Sequence, residues 1–268
     1  MRRARHSRSS GREQALDELF ATAGLEADQA ARGVDGHFSL RPFAGDSSGS
    51  GSGAAEPEPV TEGTIPEQLL RRAREAQDRS RRTEAVQIYR QLLALEPGSL
   101  AGRNNLALLF ESNGEPEMAV DELNAALRHH PDQVDILVNR GAIYGTLKRY
   151  GEAEADLRRA IRLAPANGGA HYNLGLVLWK KGLPEEASEE FRRAVEADRQ
   201  NPAAWYYLGD ARNQAGDLTG AQLALEQAIQ LDPGFGKAYH LLGRVFDRMH
   251  RPAEAIEMYR KARESAAQ

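Results

Sequence analysis

From Pro66 onward the apolar positions fall at helical spacing, in pairs of short blocks separated by breaks near Gly114, Lys148, Gly182, Gly216 and His250. The first block of each pair places Leu106, Ala107 and Phe110 on one face, matched by Arg140, Gly141 and Tyr144, then by Leu174, Gly175 and Leu178. Leu208, Gly209 and Arg212 follow, and then Leu242, Gly243 and Phe246. The second block opens on a small residue: Ala85, Ala119, Ala153, Ala187, Ala221 or Ala255. A large one comes next (Tyr89, Leu123, Leu157, Phe191, Leu225, Tyr259), and then another alanine at 126, 160, 194, 228 or 262. A small residue between large ones lets paired helices approach closely, because bulk there would force the backbones apart. Pro97, Pro131, Pro165 and Pro233 mark the same register every 34 residues, with Arg199 at the remaining station. A period of that size predicts stacked helix pairs in the frames 66–99, 100–133, 134–167, 168–201, 202–235 and 236–268.

This pattern resembles the tetratricopeptide repeat (TPR) family at its signature positions, over about three-quarters of the chain. The resemblance implies an all-α, right-handed α-solenoid of six helix-turn-helix repeats. The first frame departs most, with Arg72 and Ala76 where large apolar residues are usual, and Arg140 and Arg212 are expected to snorkel. Leu93, Leu127, Ile161, Val195 and Ile229 should meet the following repeat, whereas the last frame has Arg263 at that station. A polar outer face there is what a terminal repeat needs, so the six-repeat stack is expected to be complete.

Residues 1–63 read as a disordered tail. Its first twelve residues are a basic arm with five Arg, and 13–65 carry ten acids against two Arg. A short helix over 13–23 would put Leu16, Leu19 and Phe20 on one face. The stretch 46–63 is a Gly/Ser/Pro linker, and the TPR domain, 64–268, should open with Thr64 near the cap and Pro66 in the first turn.

Net charge is −4, too balanced to point to bulk nucleic-acid binding. Cysteine is absent, which removes disulfides and thiolate chemistry. No apolar run approaches membrane-spanning length, and the Arg-rich start lacks the apolar core of a secretory signal. With Arg outnumbering Lys thirty to five, a cytoplasmic, bacterial protein is expected. There is no Gly-rich phosphate loop, and the seven His are scattered, so neither enzyme, cofactor nor metal site is expected.

With frame positions 4, 7, 8 and 11 packed, positions 2, 5, 6, 9, 12 and 13 fall on the opposite side. In TPR proteins that side of the first helices lines the concave groove. Position 6 holds Asn105, Asn139 and Asn173 in successive frames, similar to the groove asparagines of the TPR portion of O-GlcNAc transferases. An Asn amide is donor and acceptor at once, so it can hold a peptide backbone of any sequence. Tyr172, Trp179, Tyr206 and Tyr207 add aromatic contact, and Lys237, His240, Arg244 and Arg248 make one end basic. These residues predict a non-catalytic protein-interaction scaffold whose groove takes an extended peptide segment of a protein partner. The alternative is an accessory subunit of an enzyme complex, bound through the convex face or the ends. Nucleic acid and membrane are not expected partners, and nothing in the pattern speaks against pairing of two copies.

Overall fold

The computed structural model describes residues 37–42 and 64–266. Among them are twelve α-helices and no strand. The described chain divides into two compact units, one of Phe38–Leu183 and one from Pro184 onward. The first holds α1 (Ile65–Asp78), α2 (Arg82–Leu95), α3 (Leu100–Ser112), α4 (Pro116–His129), α5 (Val134–Thr146), α6 (Tyr150–Leu163) and α7 (Gly168–Lys180). The second holds α8 (Pro184–Ala197), α9 (Pro202–Ala215), α10 (Leu218–Leu231), α11 (Gly236–Arg248) and α12 (Pro252–Ala266). Within each unit consecutive helices pack on one another, the arrangement that defines an α-solenoid of helix pairs.

The alternation of small and large residues sets how close the helices come. Ala85, Ala119, Ala153, Tyr89, Leu123 and Leu157 are all fully buried. A Cβ added at Gly141 in α5 would lie 2.7 Å from Leu157 Cγ, and one at Gly209 in α9 would lie 2.6 Å from Leu225 Cγ. Neither position tolerates a side chain unless the facing leucine moves.

Each pair turns through one left-handed residue, at Ser80, Gly114, Lys148, Gly182, Gly216 and His250, with φ from 57° to 88°. The amide of the residue that follows it then closes the helix end, as where Arg149 N donates to Tyr144 O at 2.8 Å. Helix starts are capped by side chains where the sequence offers them. Ser99, Asn167, Asn201 and Asp217 each accept from the backbone N–H three residues on.

Arg140 does not snorkel. Its guanidinium holds Asp156 of α6 through two bonds of 2.6 and 2.7 Å and donates to Asn124 Oδ1 at 2.7 Å. The pair lies between neighbouring helices, where a carboxylate is nearer than water. Arg212 stays near its own turn and donates to Gly220 O at 3.2 Å. The expected helix over 13–23 lies outside the described residues.

Candidate functional site

The first helices of successive pairs present one face of the Phe38–Leu183 unit, and frame position 6 sits on it. What each residue there does depends on the large residue sixteen positions earlier, on the second helix of the preceding frame. Arg71, with no preceding frame, is exposed. Asn105 comes after Tyr89 and donates to its hydroxyl, which itself donates to Gln77 Oε1 at 3.2 Å. Asn139 and Asn173 come after Leu123 and Leu157, which offer an amide no polar partner. Their side chains turn to the open face.

There they hold a piece of the chain's own N-terminal region. Ser39 N donates to Asn173 Oδ1 at 2.8 Å, and Asn173 Nδ2 donates back to Ser39 O at 2.9 Å. Two residues on, Arg41 N donates to Asn139 Oδ1 at 2.9 Å, and Asn139 Nδ2 donates to Arg41 O at 2.8 Å. Each asparagine thus encloses both polar backbone groups of one residue. Two residues of extended chain, roughly 6.6 Å, carry the segment from one repeat to the next. A third amide reaches Arg41 O from Asn104 Nδ2 at 3.2 Å, and Asn104 Oδ1 accepts from Asn139 Nδ2 at 2.7 Å. With the segment in place Asn104, Asn139 and Asn173 are 0% exposed, so their amides are satisfied by protein alone.

Side chains of the segment add two contacts. The ring of Phe38 lies on Gly145 of α5, where an added Cβ would be 2.2 Å from Phe38 Cζ. The three atoms nearest that point all belong to the ring. Arg41 passes Gly169 at the start of α7, its Nε 3.4 Å from where a Cβ would stand. Phe38, Ser39 and Leu40 are half-buried, while His37, Arg41 and Pro42 are exposed. These six residues are an exception to the expected featureless tail. They carry no helical periodicity, and hydrogen bonds to their backbone hold them in place.

The other expected site residues are distributed over both units. Tyr172 is buried, and Trp179 is half-buried with Lys180 Nζ 5.5 Å from its ring centroid. In the second unit Tyr207 stacks on Phe191 at 5.6 Å, the aromatic counterpart of the Asn105–Tyr89 pairing. Tyr206 meets Tyr207 edge-on at 5.1 Å and lies 5.1 Å from Phe235; burial raises its phenol above the ordinary tyrosine range. His240 rests against Tyr259, 5.4 Å between rings, and Lys237 is half-buried. Arg248 donates to the backbone carbonyl and the side chain of Asn213, and Arg244 is exposed. Asn104 and Gly145 were missed in the sequence, although both occupy positions on the open side. A glycine inside a helix costs about 1 kcal/mol against alanine, which marks position 145 as a place of close approach. The alternation of Phe38 and Leu40 in a stretch otherwise poor in apolar residues was the available sign of the segment.

No helix among the described residues is long and apolar enough to cross a membrane. The described residues hold no cluster of three or more His, Asp or Glu able to bind a metal ion.

Helix pairs at a 34-residue period, with a face of aligned asparagines, define a repeat protein of the protein-interaction class. A family profile described as tetratricopeptide repeat matches residues 70–134, 112–168, 138–202 and 172–234, and a second of the same description matches 213–268. The chain belongs to the tetratricopeptide repeat family, whose members mediate protein–protein interactions. Among its relatives, the photosystem I assembly protein Ycf3 of Prochlorococcus marinus (strain MIT 9215) is 33% identical over 85 residues, 31% of this chain. The match spans about half of that relative, 49% of its length. Among solved structures, YrrB, described as a TPR protein with an unusual peptide-binding site, is similar with a TM-score of 0.58 at 25% identity. That likeness covers 66% of this chain and 91% of YrrB. PilW, a type IV pilus biogenesis factor, shares the fold with a TM-score of 0.66 at 20% identity, over 73% of this chain and 91% of PilW.

Proposed function

We propose that this protein is a non-catalytic scaffold that holds an extended peptide segment of a partner protein on the face of α3, α5 and α7. The observation that carries this reading is the enclosure of Ser39 and Arg41 by Asn173 and Asn139. Each side chain satisfies a backbone N–H and C=O together, a contact available to any extended peptide. A likeness to YrrB and to the assembly protein Ycf3 supports the same reading, since such a scaffold suits a protein that brings others together.

The test is selection of a random peptide display library on the full-length chain, followed by titration against Asn139→Ala/Asn173→Ala. The two substitutions remove four hydrogen bonds to the bound backbone. At about 0.5–1.5 kcal/mol each, selected peptides should lose roughly two decades of affinity or more, with helicity unchanged by circular dichroism. Equal affinities in the folded variant would move the site to the outer face or the ends, where an enzyme-subunit partner would dock.

A further inference from the structure

The segment on this face is part of the protein, and that has a consequence for any partner. Its backbone takes up the amides of Asn139 and Asn173, which are 0% exposed beneath it. No second peptide can use those amides while Ser39 and Arg41 hold them. The occupant is joined to the repeats through residues 43–63 and enters α1 at Ile65, so it is always present at one copy per site. Being on the same chain, the segment meets its site at an effective concentration on the order of millimolar. A hexapeptide of only ~0.1 mM affinity would then fill the site about nine-tenths of the time.

The contact also carries side-chain selectivity. Position 12 of the frames reads Glu111, Gly145, Trp179, Asn213 and Asp247, so the third frame alone among these offers bare backbone. Phe38 covers that backbone, immediately before the clamped Ser39. The face therefore selects an aromatic residue followed by a clamped residue, a spacer and a second clamped residue.

We propose that Phe38–Pro42 is an internal ligand of this face, an autoinhibitory segment that an incoming peptide must displace. The incoming peptide is extended and places an aromatic side chain on Gly145, directly before its first clamped residue. The proposal rests on the reading above that the face binds partner peptides.

Two measurements on the full-length chain test it. The first is amide hydrogen exchange at Ser39 and Arg41, whose N–H groups donate to Asn173 and Asn139. Both amides should be protected in the wild type and released in Phe38→Ala and in Gly145→Ala, whose new methyl group meets the Phe38 ring. The second is titration with a labelled hexapeptide of the sequence His37–Pro42. It should bind the Phe38→Ala chain about tenfold more tightly than wild type, because the competing segment is weakened. Asn139→Ala should abolish that binding, and a hexapeptide with Ala in place of Phe should fail on every variant.

Equal hexapeptide affinity for wild type and Phe38→Ala, or unprotected amides in the wild type, overturns the proposal. Protection that grows with protein concentration overturns the intramolecular assignment and makes a second copy the donor. The two readings fail separately. Display-selected peptides indifferent to Asn139 and Asn173 would sink the partner reading while exchange still reports the docked segment. Asn-dependent peptides that bind wild type and Phe38→Ala equally would remove the autoinhibition alone.

Discussion

At the scale of the residue, the fate of an asparagine is decided by what stands behind it. Asn105 and Asn139 share a frame position, yet one binds a tyrosine hydroxyl and the other a peptide backbone. The difference follows Tyr89 against Leu123, the residues sixteen positions earlier in the preceding frame. Tyr89 is fully buried, and burial pushes its phenol up to about 12 against the lowering effect of the Asn105 hydrogen bond. The folded state keeps a proton that the unfolded chain releases near pH 10, so the contribution is intact below that pH and is lost as pH rises from about 10 to 12. Tyr206 and Tyr259 are raised in the same direction by burial. Alkaline unfolding should therefore begin near pH 10, with tyrosinate absorbance rising together with loss of helicity. In Tyr89→Phe the onset should move to higher pH. An unchanged onset in that variant would show that Tyr89 does not set it.

At the scale of the element, the repeats were legible because their chemistry is repeated. The 34-residue register, the small stations and the breaks all follow from side-chain volume and helical period, and the helices fall in that register. The packing gives a direct check within one helix. Ala160 of α6 is fully buried, whereas Ala155 of the same helix is exposed. Ala160→Leu should destabilise by about 1–3 kcal/mol through overpacking, and Ala155→Leu should change stability by less than about 0.5 kcal/mol. Helix propensity is common to both, so their difference in thermal unfolding isolates packing. Identical melts would mean that the small station is not a close contact. Arg140 was harder to read because its partner, Asp156, lies on another helix, and a side chain on an apolar face looks the same whether it reaches water or a carboxylate.

At the scale of the molecule, the segment 37–42 and the repeats it lies on act as one system. The aligned asparagines could be read in the sequence because identical residues recur at one spacing. Their occupant could not, because Asn139 and Asn173 recognise backbone, and backbone is the same at every position of a chain. Only Phe38 and Gly145 are particular, and a single aromatic over a single glycine leaves no period. The docking has a thermodynamic signature that needs no partner. A ligand at a millimolar effective concentration, ten times its dissociation constant, stabilises its site by about 1.4 kcal/mol. For a chain of this size that is a shift of a few degrees in melting temperature. Deleting residues 1–62 should leave the repeats folded and lower the calorimetric transition by about that much. Phe38→Ala in the full-length chain should reproduce most of the shift, since it removes the ring from Gly145 while leaving the rest of the tail. Gly145→Ala separates the two contributions in the opposite direction. It expels the ring, yet in the last turn of α5 it replaces a glycine by the best helix former, a gain of at most about 1 kcal/mol. Its melt should therefore fall little or not at all, while the tail deletion, made in that background, should have no further effect. A deletion that still lowers the Gly145→Ala melt by several degrees would place other parts of the tail on the repeats. A deletion without effect on the wild type would mean that the docked segment contributes no net stability.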